Sequence, residues 1–329
     1  MTASAKPTLA LIGGFLGAGK TTLIRAAALH LQRQGVRVAA VLNDQGDDLV
    51  DTHLLRTYSV PSQQVSGGCF CCRFPDLIDA LDGLAPAQPE VIFAEAVGSC
   101  AGIVATTLRP LLRDYGSRYA VAPLTVLSNA IPADPDLRYL YDHQLAEADV
   151  VLTRSPSLTS PARYVDAISG EGLAAWLHQI LAPGASAALH PLTLDYLRYA
   201  QAEASLAWLN ARVTARATPA ISPAMLIGPL LDRLSASIPG IVHLKLFAQS
   251  ESGYLKAALT ATHADPAVEG ALDASPARDH EILLNLRALA DPAAVLAIVQ
   301  QEFARLPARL TWHSLQAFRP AVPVPFHRA

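Results

Sequence analysis

A glycine-rich stretch near the start of the chain, Gly14 to Thr21, reads G-F-L-G-A-G-K-T. An apolar run, Leu9–Ile12, precedes it, and an amphipathic stretch, Thr21–Gln34, follows it. In such a strand–loop–helix context, backbone N–H groups and the helix N-terminus point at phosphate oxygens, the lysine reaches the β- and γ-phosphates, and the hydroxyl binds Mg²⁺. The complete match favours a nucleoside triphosphate site over an ordinary glycine-rich turn. Its predicted binding residues are Gly14, Gly17, Ala18, Gly19, Lys20, Thr21 and Thr22.

A carboxylate at the end of a neighbouring strand would complete this site. The apolar residues Val91–Phe93 are followed by Glu95, and Gly98 comes three positions later. We predict that Glu95 orders the magnesium shell, as acidic residues do in P-loop enzymes. Gly98 can offer its backbone N–H to the γ-phosphate and act as the hinge of a loop that responds to hydrolysis. The alternative is an exposed glutamate followed by a turn glycine.

Three cysteines lie within four positions, as Cys69, Cys71 and Cys72, directly after Gly67-Gly68. Thiolates at this spacing can converge on a metal ion that accepts tetrahedral sulfur ligands, such as Zn²⁺, Cu⁺ or Co²⁺. Three thiolates leave a fourth, exchangeable position, which suits metal transfer. A redox pair and a cluster of small buried residues remain the alternatives. Cys100 is interpreted as a small core residue that could approach the cluster in one nucleotide state.

An acidic segment, Leu42–Asp51, lies between the glycine-rich loop and the cysteines. Its position after a predicted strand favours Asp44 and Asp47 as groups that position Mg²⁺ or water, whereas Asp48 and Asp51 are left open. A solvated acidic loop is the alternative. The ten histidines are scattered without ligand spacing, so none is predicted to bind a metal.

Composition excludes several classes of function. The 329 residues carry a net charge of −3, with 51% hydrophobic and 16% charged residues. We therefore expect folded domains rather than disorder, no general nucleic-acid binding, and no membrane partner, since no window has the ~18 apolar residues of a span. Four cysteines are too few for a disulfide scaffold, and the cluster of three indicates a thiolate site, so we expect a reducing, cytoplasmic location.

Short apolar runs alternate with amphipathic stretches over the first half of the chain. The predicted strands are Leu9–Ile12, Val36–Leu42, Val91–Phe93, Ala120–Leu127, Val150–Leu152 and Val165–Ile168. The predicted helices are Thr21–Gln34, Phe74–Leu84, Ile103–Tyr115, Leu137–Glu147 and Gly172–Leu181. This alternation predicts an α/β domain with a doubly wound, mostly parallel P-loop NTPase sheet over residues 1–183.

The pattern changes after Pro183. Residues 184–238 are predicted as a helical connector, with helices over Leu192–Arg216 and Pro223–Ser237. Residues 239–329 are predicted as a second, smaller α+β domain. Its elements are strands at Ile241–Gln249, Tyr254–Thr262, Glu281–Leu289 and Leu310–Phe318, a loop at Asp265–Asp279 and a helix at Asp291–Leu306. The segment from Arg319 is predicted to be unstructured.

Four segments together resemble the CobW-type family of P-loop GTPases. They are Gly13–Leu23, the N-D-Q-G-D stretch Asn43–Asp47, the G-G-C-F-C-C stretch Gly67–Cys72, and the E-A-V-G stretch Glu95–Gly98. The resemblance covers the predicted first domain well and the second weakly. It implies a metal-linked GTPase that delivers a transition metal, often zinc or cobalt, to a client protein.

The same resemblance implies a role for individual residues. Lys20 and Thr21 would hold phosphate and Mg²⁺, Glu95 would order the magnesium shell, and Asp44 or Asp47 would position water or metal. The transition metal would lie on Cys69, Cys71 and Cys72 or a subset of them.

The chain departs from the family at the base-reading motif N-K-x-D. The corresponding residues are Thr153, Arg154, Ser155 and Pro156. Thr153 and Arg154 are placed by this correspondence at the nucleotide. Pro156 replaces the aspartate that would accept hydrogen bonds from guanine, and losing a buried contact of this kind costs discrimination. The resemblance therefore predicts phosphate binding and leaves the choice between guanine and adenine open.

Three functional hypotheses follow. The first is a metal-responsive nucleoside triphosphatase, with GTP favoured, that acts as a metallochaperone-like accessory protein for an unidentified client. The second is a nucleotide-binding adaptor with little hydrolysis, or an ATP-preferring P-loop enzyme. The third is a small-molecule kinase with a lid formed by Arg109, Arg113 and Arg118, for which a solvated helix face is the simpler interpretation. Pairing into a homodimer is expected by analogy with this class only.

Overall fold

A computed structural model describes residues 6–46, 50–154, 163–190, 192 and 194–327. The chain divides into two compact units, neither of which is continuous in sequence. The first comprises Met1–Gln45, Asp51–Ala202 and Val322–Ala329, and the second comprises Gly46–Val50 and Glu203–Ala321. Among the described residues, no helix is long and apolar enough to cross a membrane.

The first unit is built on a parallel sheet with strand order β3-β2-β4-β1-β6-β7-β8, in which β5 also pairs with β1. Its strands are β1 (Thr8–Gly14), β2 (Val38–Asn43), β3 (Ser62–Val65), β4 (Val91–Glu95), β5 (Ala120–Val121), β6 (Thr125–Ser128), β7 (Val150–Thr153) and β8 (Arg163–Tyr164). Its helices are α1 (Lys20–Arg33), α2 (Val50–Thr57), α3 (Phe74–Gly83), α4 (Arg109–Tyr115), α5 (Pro135–Ala146), α6 (Leu173–Ile180) and α7 (Tyr196–Ala204). The first residue of α2 and the last two of α7 belong to the second unit.

The register of the central strands brings the candidate residues to one edge of the sheet. Glu95 of β4 pairs with Ile12 of β1 on one side and with Leu42 of β2 on the other. Because parallel strands end at the same edge, the glycine-rich loop after β1, the segment after β2 and the loop after β4 begin next to one another. Strands β1, β2 and β4 are almost entirely buried, which explains their continuous apolar sequence.

The second unit is an antiparallel sheet with strand order β12-β11-β10-β13-β9-β14. Its strands are β9 (Ala207–Ile221), β10 (Ile241–Ser250), β11 (Gly253–Leu259), β12 (Ala267–Gly270), β13 (Ala277–Ala288) and β14 (Ala308–Phe318), and its helices are α8 (Pro223–Ser237) and α9 (Pro292–Phe303). Leu230 of α8 and Phe303 of α9 are fully buried in one core with the strands. The predicted fold class, an α/β domain with a smaller α+β domain, is confirmed.

The long helix predicted over Leu192–Arg216 is wrong in its second half. Helix α7 ends at Ala204. Strand β9 starts at Ala207 and pairs with β13 on one side and with β14 on the other. In the middle of β9, buried alanine and valine alternate with more exposed polar residues, which is the period-two pattern of a strand. The segment 184–238 is therefore not an all-helical connector, although the domain boundaries at 183 and 238 stay a prediction.

Smaller corrections concern strand bounds in the first unit. The strand predicted over Ala120–Leu127 is divided into β5 and β6, with Pro123, which lacks an N–H donor, between them. The strand predicted over Val165–Ile168 is wrong, because the Asp166 carboxylate accepts the Ile168 N–H at 2.8 Å and the chain turns there. Helix α2 and strand β3 were missed.

Two further corrections concern the second half of the chain. The predicted loop Asp265–Asp279 contains the edge strand β12. The segment after Arg319 has no helix or strand among its described residues, but it is ordered by contacts, since Pro320 and Pro325 are buried.

Candidate functional site

The glycine-rich loop holds its lysine through its own carbonyl oxygens. Helix α1 begins at Lys20, after Gly19 in a left-handed conformation with φ 96°. The Lys20 side chain is 7% exposed and its Nζ donates to the carbonyl oxygens of Gly14 at 2.9 Å and Phe15 at 3.4 Å. A lysine side chain that folds back onto the loop in this way places its positive charge where phosphate oxygens would lie.

The predicted magnesium residues meet at the same point. Thr21 Oγ1 donates to Glu95 Oε2 at 2.8 Å, and Lys20 Nζ lies 4.0 Å from Glu95 Oε1. All three side chains are buried. The loop and the end of β4 therefore bring together a cation, a hydroxyl and a carboxylate, and the oxygen pair is of the kind that Mg²⁺ prefers.

The loop that follows Glu95 packs tightly against the glycine-rich loop. A Cβ at Gly98 would lie 3.0 Å from Leu16 N and 2.7 Å from Leu16 Cδ2, so a side chain there would force the two loops apart. Gln144 of α5 donates through Nε2 to the carbonyl oxygens of Gly98 at 2.9 Å and Cys100 at 3.0 Å. This helix therefore fixes the loop that the sequence predicted to respond to hydrolysis.

One turn further along, Glu147 holds the far end of the same loop. Its carboxylate accepts the backbone N–H groups of Gly102 and, at 2.8 Å, Val104. The side chain is buried, and burial raises its pKa to about 7, although hydrogen bonds from Val104, Gly102 and Ile103 act in the opposite direction. Sequence analysis missed Gln144 and Glu147, because nothing local marks them among the polar residues of a helix.

The cysteines lie in a tight turn that Asn43, the last residue of β2, holds from the sheet edge. Its Nδ2 donates to the carbonyl oxygens of Val65 at 3.0 Å and Gly68 at 2.7 Å, and its Oδ1 accepts the Phe70 N–H at 2.8 Å. Asn43 is buried and is bonded on both sides of Cys69. One side chain thus ties the cysteine turn to the strand beside Glu95.

The three sulfur atoms converge. Within the described part of the chain, Cys69, Cys71 and Cys72 form a group whose ligand atoms all lie within 4.8 Å of one another, and Cys100 is outside it. Cys69 and Cys71 are joined as a disulfide, and the Cys72 sulfur lies 3.5 Å from that of Cys69 and 3.7 Å from that of Cys71. Reduction of the pair would free two thiols, which together with Cys72 give three adjacent sulfur donors, and such a set fits a tetrahedral metal ion.

At the base-reading position, Thr153 ends β7 buried and Arg154 reaches back over the glycine-rich loop. A Cβ at Gly19 would lie 3.1 Å from Arg154 Nη1. The pKa of Asp166 is lowered, first by the hydrogen bond from the Ile168 N–H and in smaller part by the charge of Arg154. The guanidinium therefore lies beside the predicted phosphates, while Ser155 and Pro156 lie outside the described residues.

The remaining predicted residues are the aspartates after β2 and the arginines of the suggested lid. Asp44 follows β2 at the same edge and donates its backbone N–H to Val65 O at 3.2 Å, whereas Asp47 lies outside the described residues. Arg113 and Arg118 of the suggested lid form ion pairs with Asp114 and Asp82 on the surface. These pairs favour a solvated face, the simpler of the two interpretations.

A glycine-rich loop leading into a helix, with a buried acid from the neighbouring strand, defines a P-loop nucleoside triphosphatase domain. The family model of the CobW/HypB/UreG nucleotide-binding domain matches residues 8–166. Residues 8–166 thus form a domain of the CobW/HypB/UreG nucleotide-binding type.

Individual relatives are more distant. The zinc chaperone YjiA of Escherichia coli (strain K12) is 28% identical over 167 residues, which are 46% of this chain and 50% of that protein. The zinc chaperone YeiR of the same organism is 25% identical over 159 residues, 46% of this chain and 47% of that protein. The chain thus spans about half the length of these relatives. HypB from Helicobacter pylori in complex with nickel is similar at a TM-score of 0.40 and 17% identity, covering 54% of this chain and 86% of that one.

Proposed function

We propose that this protein is a metal-responsive P-loop nucleoside triphosphatase, with GTP as the favoured nucleotide, that couples hydrolysis to delivery of a transition metal to a client metalloprotein. The observation that carries the proposal is the position of Asn43. Its three side-chain hydrogen bonds join the cysteine turn to the end of the strand that pairs with Glu95. A change at either site would strain the same hydrogen bonds.

In the nucleotide half, Lys20 would bind the β- and γ-phosphates and stabilise the charge that develops on them. The oxygens of Thr21 and Glu95, 2.8 Å apart, are the ligands that would hold Mg²⁺, and the ion would supply positive charge that offsets the charge of the phosphates. Asp44 and Asp47 would position the attacking water. Gly98, packed on Leu16, would offer its N–H to the γ-phosphate, so that loss of this phosphate would release the loop.

Thr153 and Arg154 occupy the base-reading position. Arg154 lies over Gly19, where it would contact any nucleoside triphosphate through its phosphates. Thr153 offers one hydroxyl to the base, which is less than an asparagine–aspartate pair provides. We favour GTP on the family relationship, and an ATP-preferring enzyme is the alternative.

In the metal half, the reduced thiolates of Cys69, Cys71 and Cys72 would hold the ion. Sulfur donors favour Zn²⁺ and Cu⁺, and Co²⁺ accepts the same tetrahedral geometry. Two zinc chaperones among the relatives support zinc as the first ion to test. The Cys69–Cys71 disulfide supports a redox role as the alternative for this motif, because oxidation would remove two of the three ligands.

The relationship also supports a cytoplasmic location, where a reducing environment would keep these thiols available. The client is expected to be a protein, and homodimer formation stays an expectation by analogy.

A nucleotide-binding adaptor with little hydrolysis is the second candidate function, motivated by Pro156 in place of the family aspartate.

Phosphate release from GTP and from ATP tests the proposal, with reduced protein, Mg²⁺, and either no zinc or an equimolar amount. We expect faster GTP turnover that changes on zinc addition, and a loss of about 100-fold in Lys20→Ala, since this removes transition-state charge stabilisation. Lys6→Ala, which removes an exposed lysine of the same unit, is the matched control. Equal rates for wild type and Lys20→Ala would favour the adaptor, and turnover indifferent to zinc would refute the coupling.

A further inference from the structure

The segment after β14 returns to the first unit and lies on the cysteine turn. The Phe326 N–H donates to the carbonyl oxygen of Cys71 at 2.7 Å. The Phe326 ring stacks on Phe74, with centroids 6.3 Å apart and planes at 15°. Phe74 is buried and begins α3 just after the motif, so one main-chain bond and one ring pair hold this segment against the cysteines.

The next residue along this segment is a histidine. The His327 ring packs edge-on against Phe74 at 4.6 Å and against Phe326 at 4.9 Å. It also lies near Asp114, whose pKa is lowered mainly by its hydrogen bond with Arg113 and to a smaller extent by the charge of His327. The imidazole is therefore placed beside the turn, although it lies outside the group formed by the three sulfurs.

Among the described residues, the group holds three sulfur donors, which is one fewer than a closed tetrahedral site needs. Three thiolates and one imidazole form a common zinc set, and the same four donors suit Co²⁺. The nearby carboxylates of Asp76 and Asp114 are each paired with an arginine, Arg73 at 2.5 Å and Arg113 at 2.7 Å. His327 directly follows Phe326, ~3.8 Å away between Cα atoms, and the Phe326 amide is bonded to the turn itself. A change of the His327 side-chain rotamer is the movement that ligation to the sulfurs would require.

We propose that His327 is the fourth ligand of a metal ion held by Cys69, Cys71 and Cys72. This inference rests on the metal half of the proposed function and is independent of hydrolysis. With the segment docked, the ion would have three sulfur ligands and one nitrogen ligand. When the segment leaves, the fourth position opens to a donor from a client, which makes undocking the step that permits transfer. Sequence analysis did not predict this residue, because it is far from the cysteines along the chain.

Cobalt binding to the reduced full-length chain tests the assignment. Thiolate-to-cobalt charge transfer counts sulfur ligands, and the visible bands of Co²⁺ report tetrahedral geometry. In His327→Cys, we expect the charge-transfer absorbance per bound cobalt to rise by about one third, because four thiolates replace three. His178→Cys, a new thiol at an exposed position on α6, is the matched control and should leave the spectrum unchanged.

A second pair of variants separates ligation from packing. His327→Ala should weaken cobalt binding by about 10-fold or more and shift the visible bands, because water replaces the imidazole. Phe326→Ala should weaken binding while leaving the spectrum of the saturated protein unchanged. Spectra identical in wild type, His327→Ala and His327→Cys would overturn the assignment and leave the cysteine site intact. Absence of any charge-transfer band in wild type would overturn both the assignment and the metal half of the proposed function.

Discussion

Glu147 is expected to make the stability of the first unit depend on pH near neutrality. Its pKa is about 7 in the folded protein against 4.5 for an unburied glutamate, because burial outweighs the hydrogen bonds from three backbone N–H groups. The folded state therefore binds more protons than the unfolded state between these values, and the free energy of unfolding falls as the pH rises through this window. This shift in pKa corresponds to about 3 kcal/mol in the free energy of unfolding over the full pH window.

Glu147→Gln removes the titration and keeps the shape of the side chain. Urea unfolding of wild type and variant between about pH 5 and about pH 8 should show wild type losing about 2.5 kcal/mol relative to the variant, with most of the loss below about pH 7. Loss of one N–H acceptor in the variant adds an offset that does not change with pH. Glu171→Gln, at an exposed position, should run parallel to wild type. Parallel curves for wild type and Glu147→Gln would refute the reasoning.

Three further substitutions test the site. Asn43→Leu removes the hydrogen bonds of the cysteine turn and should weaken zinc binding by about 10- to 100-fold in a competition titration, whereas unchanged affinity would show that the turn holds itself. Gly98→Ala should lower nucleotide affinity by about 10-fold or more, because overpacking against Leu16 costs about 1–3 kcal/mol, and an unchanged dissociation constant would contradict this packing argument. Arg154→Ala should weaken GTP and ATP alike, by about 10-fold in equilibrium binding, since its guanidinium lies over Gly19. A loss confined to one nucleotide would instead make it a base reader.

The residues found from sequence share a local signature. The glycine-rich loop, Glu95 and the three cysteines are recognisable because their chemistry needs particular residue types at short fixed spacings, and the strand register then brings loop and carboxylate together. Strands that are buried on both faces can also be predicted from the sequence, because they are continuous apolar runs.

The residues missed from sequence act across long separations. Glu147 has no local motif, and the N-D-Q-G-D stretch that begins with Asn43 does not reveal what its side chain binds. Both residues bond backbone groups that only the tertiary structure brings near them. The error at β9 has a different cause. Its alternation of small apolar and polar residues is a strand period, but its many alanines also suit a helix, and pairing with β13 and β14 decides between them.

The interleaving of the two units along the chain has a consequence for biosynthesis. During translation, most of the first unit leaves the ribosome before the second unit, yet residues 322–327, which bond Cys71 and pack on Phe74, are made after the second unit is complete. Val50, made early, contacts Phe247 and Leu283, which are made late. A gene fragment ending at residue 202 would therefore yield a nucleotide domain with an open cysteine turn and an unburied valine, and neither unit can reach its final form until nearly the whole polypeptide has been synthesised.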